Sequence, residues 1–354
     1  MKQPLIQLLA CSCLLVAPAA MARTIVVSPN QPGGIQGAID TASPGDTVRV
    51  LSGYYYEHLA LRDGVSVVAQ AIGRAFVLAE SEGPVLTAVG VGSTTTVRGL
   101  VLGEGGSYAG GGLYAVASSP RILYCTFESN YAVVGAGAYL RDGSTPRFTG
   151  CTFSHNQASV GGGLYLDFSQ AVVESSFVVG NSAKDGGAIA ATNAAEATFT
   201  YTSIAQNHTT QGATVACTEA SPSFTNCTVA SNFDDMPAGG VFGLRGSGTR
   251  IERTIIAFNS AVAIACTGFS SPWVGCDDLY GNTSDAICAG DQGTNLFVDP
   301  LFCDLPSSNF RLHANSPVLA STCGLLGAHS VACPGIGTSL VAVTWGDFKN
   351  LYRR

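Results

Sequence analysis

Apolar side chains recur along this chain at a fixed distance from asparagine, not on helical spacing. Asn130, Asn156, Asn181, Asn207, Asn232, Asn259 and Asn282 follow one another at intervals of 26, 25, 26, 25, 27 and 23 residues. Three residues before them stand Phe127, Phe153, Val178, Ile204, Val229, Ile256 and Leu279. Five before the first six stand the small side chains Cys125, Cys151, Ser176, Thr202, Cys227 and Thr254. Glycine comes after the asparagine, as at Gly135, Gly161, Gly186, Gly212 and Gly239, and proline recurs at Pro120, Pro146, Pro222 and Pro272. A period of about 25 is too short for helix-pair repeats, and no 3.6-residue apolar spacing fills the unit.

Each unit reads instead as three short strands, in one unit residues 146–148, 151–153 and 163–166. If every circuit of chain pairs with the circuits above and below, the strands run parallel about 4.8 Å apart and equivalent residues stack. The predicted fold is all-β: a right-handed parallel β-helix solenoid with about 25 residues per coil. An asparagine ladder suits it, because the amide both donates and accepts. Asparagine also tolerates the left-handed backbone of a sharp turn, so a positive φ is expected there.

The pattern extends backwards. Residues 97–102, followed by Gly105, form one more unit with Gly in the Asn position, and residues 24–27, 47–51, 65–68 and 75–78 read as strands. Ile35, Ala38, Ile39 and Ala42 fall at helical spacing and predict a short amphipathic helix. A solenoid end exposes apolar core and unpaired strand edges, so this helix is expected to be an N-terminal cap. The expected organisation is a signal peptide over 1–22, a cap and first coils over 23–96, and regular repeats over 97–285. A cysteine-containing closing segment (286–334) and a tail (335–354) follow.

Composition narrows the function. Only 12% of residues are charged, 46% are hydrophobic and 43 are glycine, which argues against disorder and helical bundles. With 17 basic against 24 acidic residues, and lysine only at Lys2, Lys184 and Lys349, no basic run stands ready to neutralise phosphates. Nucleic acid is therefore excluded as an expected partner. Lys2, an apolar run to Val16 and the small residues Ala20 and Ala22 predict secretion, and no later segment is long enough to span a membrane. Cleavage leaves ten cysteines in an oxidising compartment. Cys125, Cys151 and Cys227 share one coil position and should face inward as small hydrophobes. Stacked side chains on parallel strands point the same way, a poor disulfide geometry. Among Cys266, Cys276, Cys288, Cys303, Cys323 and Cys333 at least two disulfides are expected.

The run from Ile35 to Asp40, then 45–48 and 53–57, resembles the capping entry of bacterial right-handed parallel β-helix proteins of the pectin-lyase-like superfamily. Residues 161–165 and 221–229 resemble their internal repeats, and 299–302, 309–312 and 315–317 their closing segment. The resemblance covers roughly 24–333 and implies the fold. It leaves the chemistry open, since the superfamily spans lyases, hydrolases, epimerases and adhesins. Its lyases imply an acidic calcium cluster with a basic proton acceptor, and its polygalacturonases imply aspartates near Gly-His-Gly, a sequence this chain lacks.

The catalytic candidates are consequently weak. Lys184 is the one lysine of the mature solenoid, with Asp185 beside it, and Asp234 and Asp235 form an acidic pair, as do Asp277 and Asp278. Adjacent acids can bind calcium or do acid–base work, but in turns they are more often solvated. His155 and His208 flank ladder asparagines two coils apart. Arg141 and Asp167, 26 residues apart, should form a surface ion pair. Tyr139 and Tyr165 occupy equivalent positions, should stack, and are candidates for sugar stacking. Trp345, Phe348, Leu351 and Tyr352 share one face of a predicted tail helix. The expectation is a monomeric, secreted or cell-surface protein that presents a long face to polysaccharide or a surface partner. It needs no cofactor, calcium being the one ion its acids could take. The alternative is a polysaccharide lyase or glycoside hydrolase.

Overall fold

The computed structural model describes residues 21–236 and 239–333. The expected leader cleavage region lies largely, and the tail 335–354 wholly, outside them. Parallel strands stack into three long sheets of eleven, ten and ten strands among the described residues. The first sheet runs from Thr24–Val27 to Trp273–Gly275, the second from Gly53–Tyr56 to Asp278–Tyr280, and the third from Leu59–Ala60 to Ser284–Ile287. Each coil visits them in that order. The prolines sit immediately before first-sheet strands such as Arg147–Thr149, where a missing N–H leaves no gap in the ladder.

Inward positions stack as the periodicity requires. Phe127 lies on Phe153 with ring centroids 4.9 Å apart, and Phe199 on Phe224 at 4.7 Å. The Cys/Ser/Thr column is fully buried, and Cys125, Cys151 and Cys227 carry free thiols, as does Cys217, which the column does not include. Burial pushes the Cys125, Cys217 and Cys227 thiols up to about 12. They are packing groups, not nucleophiles.

The asparagine ladder is continuous. Asn156 Oδ1 accepts from the backbone N–H and the Nδ2 of Asn130 at 3.0 and 2.9 Å, and the same pair of bonds recurs up to Asn282. Each Nδ2 also donates to a carbonyl one coil back, as Asn181 does to Phe153. Gly105 holds the first position, its N–H bonded to Asn130 Oδ1 at 2.9 Å. At the far end Asp285 replaces the next asparagine and accepts from Asn282 N and Nδ2.

One expectation is corrected. The ladder asparagines are not left-handed; the residue before each one is, at Ser129, His155, Gly180, Gln206, Ser231, Phe258 and Gly281, with φ of 54 to 66°. That residue turns the chain out of the second sheet, which aims the following amide inward. The glycines serve two needs. Gly135, Gly161 and Gly186 have φ of 61 to 67°, whereas at Gly163 a Cβ would lie 2.6 Å from the Ala188 carbonyl oxygen.

The helix Gly34–Thr41 buries Ile35, Ala38 and Ile39 against the first coils. Glu57 fixes its start by accepting from the backbone N–H groups of Ile35 and Gln36 at 3.0 and 2.9 Å, a carboxylate at a helix N-terminus. At the other end, the closing segment folds back over the outer face of the second sheet. Leu312, Val318 and Leu326 cover Ile255 and Ala257, while Phe310 covers Ala205 and Ala230. His329 reaches Ser203, its Nε2 2.7 Å from Oγ, and lies over Phe177. Disulfides Cys266–Cys288, Cys276–Cys323 and Cys303–Cys333 tie this strap together and to the last coils.

Candidate functional site

The turn after each ladder asparagine builds a fourth, narrower face. Tyr131–Val134 pairs with Gly106–Ala109. Gln157 bridges Tyr131 to Ser182, and His208–Thr209 joins Ser182–Ala183 to Phe233–Asp234. The residue following each asparagine therefore forms one column across five coils: Tyr131, Gln157, Ser182, His208 and Phe233. Along this column lies a groove of about 530 Å³ bounded by Ser107, Tyr131, Gln157, Ser159, Lys184 and Thr210. Tyr131 is half exposed at its side, and Phe233 and Met236 are exposed farther along the same face.

The fold brings Lys184, Asp185, Asp234 and Asp235 onto this one face, but only Lys184 lines the groove. Asp185 Oδ1 is held by the backbone N–H groups of Gly186 and Ala213, each at 3.0 Å, so its carboxylate serves the turn. Asp234 is buried and accepts from Met236 N at 2.8 Å through Oδ1, and burial raises its pKa to about 6. Asp235 faces His208, with Oδ1 3.2 Å from Nε2, beside the His208–Phe233 ring contact. His155 lies at the left-handed turn position and does not join His208. Among the described residues no group of three His, Cys, Asp or Glu is placed to hold a metal ion.

Three further expectations change. Tyr139 and Tyr165 do approach, at 5.3 Å between centroids, but Tyr139 is buried between Tyr114 and Tyr165. Its hydroxyl donates to Asp167 at 3.0 Å, and burial together with that carboxylate raises its pKa. Its faces are taken, leaving no room for a sugar. Asp167 is thereby occupied, and Arg141 pairs with its neighbour Asp142 at 2.9 Å instead of crossing to the next coil. Asp277 and Asp278 are not solvated. Asp277 fills the next slot of the small-residue column, its Oδ1 accepting from Thr254 N at 2.7 Å, and Asp278 lies under the strap, accepting from Val298 N at 3.1 Å.

Burial raises Asp277 well above the ordinary carboxylate range and Asp278 to about 7. Below about pH 4 the Asp278 carboxyl is protonated in folded and unfolded chains alike, with no net effect. Between about 4 and 7 the unfolded chain releases its proton and the folded one keeps it, so stability falls as pH rises. Asp278→Asn should flatten that decline when the unfolding midpoint is followed across this range. An unchanged slope would refute the assignment.

Comparison with known proteins agrees with the architecture. The family described as a right handed beta helix region matches residues 89–204. Pectate lyase Pel9A superposes with a TM-score of 0.58 at 14% identity, covering 89% of this chain and 98% of the lyase. A pectin methylesterase from carrot gives 0.40 at 13% identity, with 79% and 90% covered. The A-module of the Azotobacter vinelandii mannuronan C-5 epimerase AlgE4 gives 0.32 at 14%, with 84% and 94% covered. No curated protein matches the sequence. At such identities the first likeness establishes the fold, a right-handed parallel β-helix, and the other two add no argument.

Proposed function

We propose that the protein is a secreted or cell-surface β-helix that binds polysaccharide along its fourth face without altering it. The groove carries this reading. It crosses several coils, mixes hydroxyl and amide groups and one cation with the small apolar side chains of Ala132, Val133, Ala158 and Ala183, and has Tyr131 at its wall, a composition suited to a sugar chain with both polar and apolar faces. The three disulfides support an oxidising compartment, and no helix among the described residues is long and apolar enough to cross a membrane. The β-helix of a pectate lyase supports a polysaccharide ligand by analogy of fold.

One observation favours a second reading, a polysaccharide lyase: Lys184 stands in the groove, where an amine could accept a proton from a sugar ring. A single experiment separates the two. The full chain is offered a panel of neutral and acidic polysaccharides while binding and unsaturated ends are followed together. Binding without products, weakened about tenfold by Tyr131→Ala, is expected. Products that Lys184→Ala abolishes would establish the lyase, and absence of any binding would remove both readings.

A further inference from the structure

The coil gathers arginines that are scattered in sequence. On the outer face of the first sheet, Arg49, Arg98, Arg121 and Arg147 are all exposed. Arg49 and Arg98 occupy one row of the register, two strands apart and so separated by about 10 Å. Arg121 and Arg147 are direct partners in the neighbouring row, and Arg121 belongs to the strand that follows that of Arg98. The other outward positions from Thr24–Val27 to Arg147–Thr149 are Thr, Ser, Val and Leu, with no carboxylate. The first acid on this face is Glu174, which reaches Arg147 at 3.3 Å. Arg98 lies over the Tyr124 ring, and Arg49, Arg98 and Arg121 make no ion pair among the described residues.

A row of cations on a chain of formal charge −7 needs a reason. Like charges directly opposite on adjacent strands destabilise a sheet, and Arg121 against Arg147 is such a pair. Only one of the two has an acid to offset it. The expectation that the chain has no basic patch is thus corrected: the arginines never cluster in sequence because they sit about one coil or two coils apart.

We propose that this arginine ridge is a second binding surface, separate from the groove, for a linear anionic polysaccharide lying along the solenoid axis. Guanidinium forks match carboxylate and sulfate groups, and a line of charges spaced by coils fits a chain with charges at sugar intervals. The flat face has none of the exposed aromatic rows on which single-stranded bases stack, which favours polysaccharide over nucleic acid. The inference rests on charge placement and stands independently of the groove.

The test uses the full chain on immobilised heparin, a sulfated polysaccharide, with poly(dT) in parallel. Arg49→Gln/Arg98→Gln/Arg121→Gln should weaken heparin binding by at least about tenfold, with retention falling steeply as salt rises. Arg141→Gln/Arg245→Gln/Arg311→Gln removes as many cations from other faces and should leave binding unchanged. If the first triple variant fails to fold, Arg121→Gln alone serves. It relieves an opposed pair, so it should keep or raise the unfolding midpoint while weakening binding about two- to threefold. No retention of the unaltered protein, equal losses in both triple variants, or poly(dT) binding as tight as heparin binding would overturn the proposal.

Discussion

Asn181→Ala should lower the free energy of unfolding by about 3 kcal/mol or more. The side chain makes four buried hydrogen bonds. Its Oδ1 accepts from Asn156 N and Nδ2, and its Nδ2 donates to Phe153 O and Asn207 Oδ1. Alanine takes one bond from each of these partners in a site with no exposure: Asn207 Oδ1 keeps the Asn181 N–H and Asn156 Nδ2 keeps Phe127 O, but Asn156 N loses its acceptor, and an orphaned buried group costs roughly 1–3 kcal/mol on top of the bonds lost. Partial relaxation keeps the total below the sum. Serine at the same position, too short to span to the next coil, should recover little. Chemical denaturation of the purified variant checks this, and an unchanged midpoint would show that the ladder contributes nothing at that coil.

Loss of the Cys276–Cys323 disulfide should have the second large effect. It closes the longest of the three loops, its ends 47 positions apart in sequence, and ties the last coil to the strap. Chain-entropy reasoning puts its contribution at about 4 kcal/mol. In Cys276→Ser/Cys323→Ser the strap should loosen before the solenoid melts. His329 and Phe310 would leave Ser203 and Ala230, exposing outer positions of the second sheet to hydrogen exchange while Phe127 and Phe153 stay protected. Uniform loss of protection along all coils would show instead that strap and solenoid form one cooperative unit.

The parts of this structure that were legible in the sequence are those where one chemical type repeats at one position. The asparagines, the inward Phe and Val residues and the small Cys/Ser/Thr column each announce the period, and together they fix strand, face and register. The division of the cysteines followed from the same alignment: three column members are free, and all six late cysteines are paired. The groove was harder to see because its column is chemically mixed. Tyr131, Gln157, Ser182, His208 and Phe233 share a place but no property, so only position relative to asparagine identifies them. Asp277 was open to the same counting, since it lies five residues before Asn282 and thus faces inward. Adjacency to Asp278 suggested an acidic turn instead. The strap left a fainter trace: outward positions that carry Thr126 and Glu128 in one coil become Ser203 and Ala205, then Ile255 and Ala257, where something covers them.

The asparagine column also has a direction. From Asn130 to Asn259 every side-chain amide donates one N–H to the amide oxygen of the next coil, so the amide-to-amide bonds all run one way and link head to tail as peptide units do in a helix. The carboxylate of Asp285 meets the positive pole of that array, and the Gly105 backbone N–H meets the negative one. Between these two terminators each coil asks only for an asparagine on either side. A whole coil can therefore be added or removed internally without new end chemistry, which makes the length of the solenoid, and of any face it presents, a parameter that gene duplication can vary on its own.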